Sequence, residues 1–117
     1  RAAELAAALG EMAAEIRSLR RPMPWLLERQ ARRALCGGCF ARVLSGLERG
    51  QPLQDAWEDG FRELTPPEAA GILRDTELTG DEERIVSALT AAVHRLEVRG
   101  GAVHHLTDIE DDTWMWI

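Results

Sequence analysis

Cys36-Gly37-Gly38-Cys39 is the one local motif in this chain with a reaction mechanism attached. Two thiols at this spacing ahead of a helix suit disulfide exchange through a thiolate of depressed pKa, or half of a tetrahedral zinc site. Both chemistries ask for surroundings that the sequence does not supply. No strand pattern precedes the motif as in a thioredoxin-like centre, and there is no second cysteine pair. His104 and His105 are adjacent, a poor spacing for completing a zinc finger. Structural thiols are one reading of Cys36 and Cys39, and a small redox or metal-binding helical protein is the alternative.

The remaining polar groups offer little more. His94 is a single histidine in a helical pattern, read as a boundary or surface residue rather than a catalyst. Glu58, Asp59, Glu63, Asp81, Glu82 and Glu83 fall on helix faces and helix starts, where carboxylates solvate the fold and suit the N-terminal dipole. No Glu-x-x-His pair, phosphate-cradling glycine loop or nucleophile elbow occurs. The expectation is a protein that is not an enzyme, with no catalytic residues, no metal, no cofactor and no small-molecule substrate.

What positions these groups is a repeating grammar of apolar stripe and breaker. Leu5, Leu9, Met12, Ile16 and Leu19 recur at steps of four and three, which marks a helix with one buried face, and Pro22 and Pro24 stop it. The pattern predicts helices near 2–20, 24–35, 39–49, 52–64, 66–77 and 81–99. Thr65-Pro66-Pro67-Glu68 and Thr79-Gly80-Asp81-Glu82 read as capping boxes opening the fifth and sixth, and Gly50 as a C-terminal cap of the third. On the fourth helix, Gln54, Asp55, Glu58 and Arg62 are expected to face solvent. The fold class that follows is all-α, a compact six-helix bundle over 1–99 in which the first and last helices form a long antiparallel pair. Its expected core is Leu9, Met12, Ile16, Leu27, Phe40, Leu44, Leu47, Trp57, Phe61, Leu73, Leu89 and Leu96. Residues 100–117 read as an irregular acidic tail that ends in Trp114-Met115-Trp116-Ile117.

Charge is distributed unevenly. Residues 1–50 carry nine Arg against five Glu, and residues 51–117 carry five Arg against fifteen acids, within a 117-residue chain of net charge −6 and no Lys. Arg17, Arg20, Arg21, Arg29, Arg32 and Arg33 form the densest basic cluster. An acidic domain with no recognition motif after its arginines does not fit nucleic-acid binding. Arg17, Arg21, Arg29 and Arg33 are instead the candidate surface for protein partners. No apolar run approaches the roughly 18 residues of a membrane helix. The start at Arg1, already inside a helical pattern, predicts an apolar segment of about 20 residues upstream of it.

Three blocks taken in order resemble the soluble domain of the stage III sporulation protein AB family of endospore-forming bacteria. Leu5 to Ala31 reads LAAALGEMAAEIRSLRRPMPWLLERQA, similar to that family's opening helix ending in Glu-Ile and followed by a Pro-containing step. Phe40 to Leu64 reads FARVLSGLERGQPLQDAWEDGFREL, where Ala56-Trp57-Glu58 is the most specific piece. Leu64 to Glu97 resembles the run into a final long helix ending in Arg95-Leu96-Glu97. The resemblance implies a fold akin to the cytoplasmic domains of the type II secretion platform protein. It also implies a non-enzymatic role in a secretion-like membrane complex joining mother cell and forespore, with other proteins of that sporulation channel and a secretion-type ATPase as partners. By the same resemblance, flanking membrane segments hold the domain at the cytoplasmic face of the mother-cell membrane. The step Leu78-Thr79-Gly80-Asp81 is shorter than the family's usual loop, and the tail after Arg99 departs from its approach to a second membrane helix.

Overall fold

The computed structural model describes residues 2–108, with side chains described for 2–98. Six helices follow one another: α1 (Ala2–Leu19), α2 (Met23–Gln30), α3 (Gly37–Glu48), α4 (Leu53–Gly60), α5 (Pro67–Arg74) and α6 (Glu82–Asp108). Among the described residues there is no strand. The all-helical bundle that the stripes predict is therefore present.

α1 lies along α6, and this is the most extensive helix pairing in the molecule. The two run antiparallel, because Arg20 just past the end of α1 pairs with Glu82 at the start of α6 at 2.7 Å. α3 on α4 is the next largest contact, with α2 packed on α3. Gly60 explains how closely α3 and α4 approach: a Cβ there would meet the Val43 side chain and lie 3.0 Å from the Cys39 carbonyl oxygen.

The core sits where these pairs meet. Leu9, Met12, Ile16, Leu27, Phe40, Trp57, Phe61, Leu73, Leu89 and Leu96 are buried, as their periodicity requires, together with Leu5, Leu26 and Val43. Leu44 and Leu47 are only partly buried, because α3 turns Val43 rather than these two squarely inward. Phe40, Trp57 and Phe61 form a ring cluster with centroids 4.8 to 6.3 Å apart, edge-on or tilted as aromatic quadrupoles prefer. The Trp57 indole N–H donates to the Leu73 carbonyl at 2.7 Å, so its one polar atom is satisfied inside the core.

Several boundaries differ from the sequence expectation, each for a tertiary reason. α5 stops at Arg74 rather than near 77 because Gln54 of α4 stitches the following loop. Its side-chain nitrogen donates to the Thr76 carbonyl at 3.2 Å and its oxygen accepts from the Leu78 N–H at 2.8 Å. Gln54 is thus a structural contact and not the solvent-facing residue that its helical position suggests. The two expected capping boxes do not form. Pro66 is the residue before α5 and no side chain caps it, while at α6 the cap is Asp81, whose Oδ1 accepts from the Arg84 N–H at 2.9 Å. Gly50 does close α3, at φ +93°. α6 continues through Gly100-Gly101 to Asp108, past the expected end near 99. Extending a helix fixes one residue per hydrogen bond and needs no new nucleus, so a long established ladder can run through glycines that would not start one. Residues 109–117, with Trp114-Met115-Trp116-Ile117, lie outside the described residues, as do the side chains of His104 and His105.

Candidate functional site: the two ends of α2

The cysteine motif is built into the joint between α2 and α3. Cys36 is buried and precedes the first turn of α3, Cys39 is half-buried in it, and the two form no disulfide. Gly37 is the position that must be glycine, since a Cβ there would run into the Ala31 carbonyl at the end of α2, whereas Gly38 faces open space. The Glu4 carboxylate of α1 closes the joint from outside. Its Oε1 accepts from the backbone N–H of Cys36 at 2.7 Å and from that of Leu35 at 3.2 Å. Those two amides would otherwise extend α2, which instead ends at Gln30 through short turns rather than running on to 35.

The electrostatics of this joint oppose thiolate chemistry at Cys36. Burial above all, then the hydrogen bond and negative charge of Glu4, push its thiol from 9.0 up to about 12. Glu4 moves the other way: the Cys36 side-chain hydrogen bond first, then the backbone amides of Cys36 and Leu35, hold its carboxyl below 4.5. A thiol that donates to a carboxylate is a packing and bonding group, and nucleophilic or metal-ligating cysteines need the opposite shift. Among the described residues no group of three His, Cys, Asp or Glu side chains could hold a metal ion. His94 is exposed on α6.

The four arginines proposed for partners have different neighbours. Arg29 and Arg33 belong to a polar seam between α1 and α2. Gln30, 1% exposed, donates to Glu11 at 2.8 Å and accepts from the Arg33 Nε at 2.6 Å, while Arg33 also lies 3.4 Å from Glu11. Arg29 approaches Glu11 and Glu15 at 3.7 and 3.5 Å. Glu15 Oε1 is buried and accepts no hydrogen bond, and the Arg29 guanidinium approaches the other carboxylate oxygen, Oε2. Arg17 and Arg21 are different: both are exposed, and among the described residues neither pairs with a carboxylate.

Arg17 lies in the last turn of α1, and Arg21 lies in the step before α2. The Arg21 guanidinium lies 4.5 Å from the Trp25 ring centroid and that of Arg29 5.6 Å, a cation–π arrangement. Leu19, 57% exposed, ends α1, and Arg20 adopts φ +53° to turn the chain. Arg17 and Arg20 also line an open groove of about 460 Å³ with Ile16, Glu82, Glu83 and Val86.

Glu4, Gln30 and Trp25 are the functional neighbours that sequence reasoning passed over. Glu4, Glu11 and Glu15, at steps of seven and four, form a carboxylate stripe next to the apolar stripe of α1, a signal that α1 would meet a basic neighbour. Comparison of the chain with protein-family models, with curated proteins and with solved structures finds no match.

Proposed function

We propose that this chain is a non-enzymatic assembly module of a sporulation-type, secretion-like membrane complex, one that links mother cell and forespore and acts through protein contacts of a helical domain. The observation that carries this reading is the exposed surface at the step from α1 to α2, where Arg21 and Arg29 lie over the half-buried Trp25 ring and Arg17 and Leu19 are exposed on the last turn of α1. Arginine and tryptophan are enriched where interfaces concentrate their binding energy. The resemblance of Leu5–Ala31, Phe40–Leu64 and Leu64–Glu97 to the stage III sporulation protein AB family supplies the cellular setting, with other channel proteins and a secretion-type ATPase as partners. The cytoplasmic face of the mother-cell membrane is the proposed location, reached through segments outside this chain. No helix among the described residues is long and apolar enough to cross a membrane itself.

Of the four candidate arginines, Arg17 and Arg21 are the two that can be reversed without disturbing the seam. Arg29 and Arg33 are engaged with Glu11, Glu15 and Gln30, and Arg17 and Arg21 remain for partners. Double reversal, Arg17→Glu with Arg21→Glu, is expected to weaken pull-down of the complex from sporulating cells while the thermal midpoint stays nearly unchanged. Arg33→Glu is expected to lower the midpoint first. Equal loss of binding and stability in the double variant would mean that this surface is structural and the reading wrong.

A further inference from the structure

The joint between α2 and α3 holds two thiols one helical turn apart. The Cys39 N–H donates to the Cys36 carbonyl at 3.1 Å, which closes the turn that opens α3. Residues three apart on a helical turn have Cα atoms about 5 Å from each other, inside the roughly 4.4–6.8 Å that a disulfide spans. The two side chains also act on each other: burial and then Glu4 are the main causes that raise the Cys36 thiol, and the charge of Cys39 adds to them. Access differs between the two. Cys36 is 1% exposed, whereas Cys39 is half-buried and follows Gly38, where an added Cβ would meet nothing within 4 Å. That open face is where a small oxidant can reach the pair.

We infer that Cys36 and Cys39 form a reversible disulfide, a redox-sensitive site in which Cys39 meets the oxidant and Cys36 closes the bond. The oxidant is a small organic disulfide. The Cys39 thiolate attacks one of its sulfurs, so that the oxidant's S–S bond breaks, a mixed disulfide forms on Cys39 and one thiolate leaves. Cys36 then gives its proton to the Glu4 carboxylate that already accepts it, and its sulfur attacks the Cys39 sulfur and expels the second thiolate. Two protein thiols are oxidised, and the oxidant is reduced to two thiols that take up the two protons. Burial and Glu4 bar Cys36 from opening the exchange, but the closing step is intramolecular, and a group held in place acts at a far higher effective concentration than a free thiol. The bond has a consequence for α1. It removes the S–H that Glu4 accepts, the largest cause holding that carboxyl below 4.5, and leaves Glu4 the backbone amides of Cys36 and Leu35 and the charge of Arg33. The site lies apart from the surface that the functional proposal uses.

Incubation of the reduced chain with excess oxidised glutathione, followed by thiol blocking with iodoacetamide and measurement of the intact mass, tests it. The expected product has lost two hydrogen atoms, carries no glutathione and takes up no blocking group. Excess reduced glutathione should return it to a chain that takes up two. Cys36→Ser should stop at one glutathione on Cys39, and Cys39→Ser should react far more slowly. A parent that keeps both thiols, or that accumulates glutathione adducts without the internal bond, overturns the inference, as does Cys39→Ser reacting as fast as Cys36→Ser. Carbon-13 NMR of the Glu4 carboxyl in the reduced and oxidised parent needs no variant. Glu4 should titrate at higher pH in the oxidised chain, because the Cys36 S–H is gone. An identical Glu4 titration in the two forms would overturn its link to the thiol pair.

Discussion

The aromatic cluster around Trp57 and the polar seam around Gln30 hold the same bundle together by opposite means. Phe40, Trp57 and Phe61 are fully buried and interlock by shape, with one internal hydrogen bond from the indole. Gln30 is as deeply buried, yet its value lies in satisfying Glu11 and Arg33 at once. An apolar cluster fails through the volume it loses, whereas a polar seam fails through the partners it strands. Shape sets where α4 sits on α3 and α5. Bonding direction sets where α2 sits on α1.

The largest effect is expected in the cluster. Trp57→Ala should cost about 3–5 kcal/mol in urea unfolding, since it leaves a cavity between Phe40 and Phe61 and removes the donor to the Leu73 carbonyl. A loss under about 1 kcal/mol would mean that the core closes over the gap and the comparison with the seam has no basis.

A smaller effect is expected in the seam. Gln30→Ala should cost about 1–3 kcal/mol, because the part-buried Glu11 and Arg33 groups lose the amide between them and the side chain removed is smaller than that of Trp57. Adding salt should change the variant and the parent alike if the amide is the main contributor. A variant that becomes much more salt-sensitive than the parent would instead assign the seam to the ion pairs of Arg29 and Arg33.

The same contrast explains what could be read from the sequence. Trp57, Phe61 and Phe40 are legible because an apolar stripe follows from helical periodicity alone, and the burial of α1's Leu9, Met12 and Ile16 follows the same way. The end of α2 is not legible, because it depends on Glu4 bonding amides some thirty positions away along the chain. Gln54 was hidden for the same reason, its partners lying on the loop after α5. For the basic cluster, composition locates the arginines but not their duties. Only the placement of the Glu4, Glu11 and Glu15 stripe against α2 separates engaged Arg29 and Arg33 from exposed Arg17 and Arg21. The cysteine motif is visible as a spacing, while its character is decided by burial and by Glu4.

The smallest effect concerns that last pair, and its sign differs at the two ends of the pH scale. Glu4 has a carboxyl pKa lowered by folding, so its contribution is present above pH 4.5 and is lost as pH falls through the folded value. Cys36 has a thiol raised from 9.0 to about 12, so above pH 9 the unfolded chain gives up its proton first and stability declines toward pH 12. Glu4→Gln keeps an oxygen to accept from the Cys36 amide and removes the charge. In a Cys39→Ser background its urea midpoint should fall less steeply than the parent's below pH 4.5. Thiolate absorbance should show Cys36 titrating at lower pH than in the parent, because the hydrogen bond to the Glu4 carboxylate and then its charge are the second and third causes of the shift. It should still titrate above 9.0, because burial is the largest cause and the variant leaves it in place. A Cys36 titration unchanged by Glu4→Gln would show that the carboxylate serves the backbone amides alone, and the joint between α2 and α3 would then be held by Glu4 with no part for the thiol.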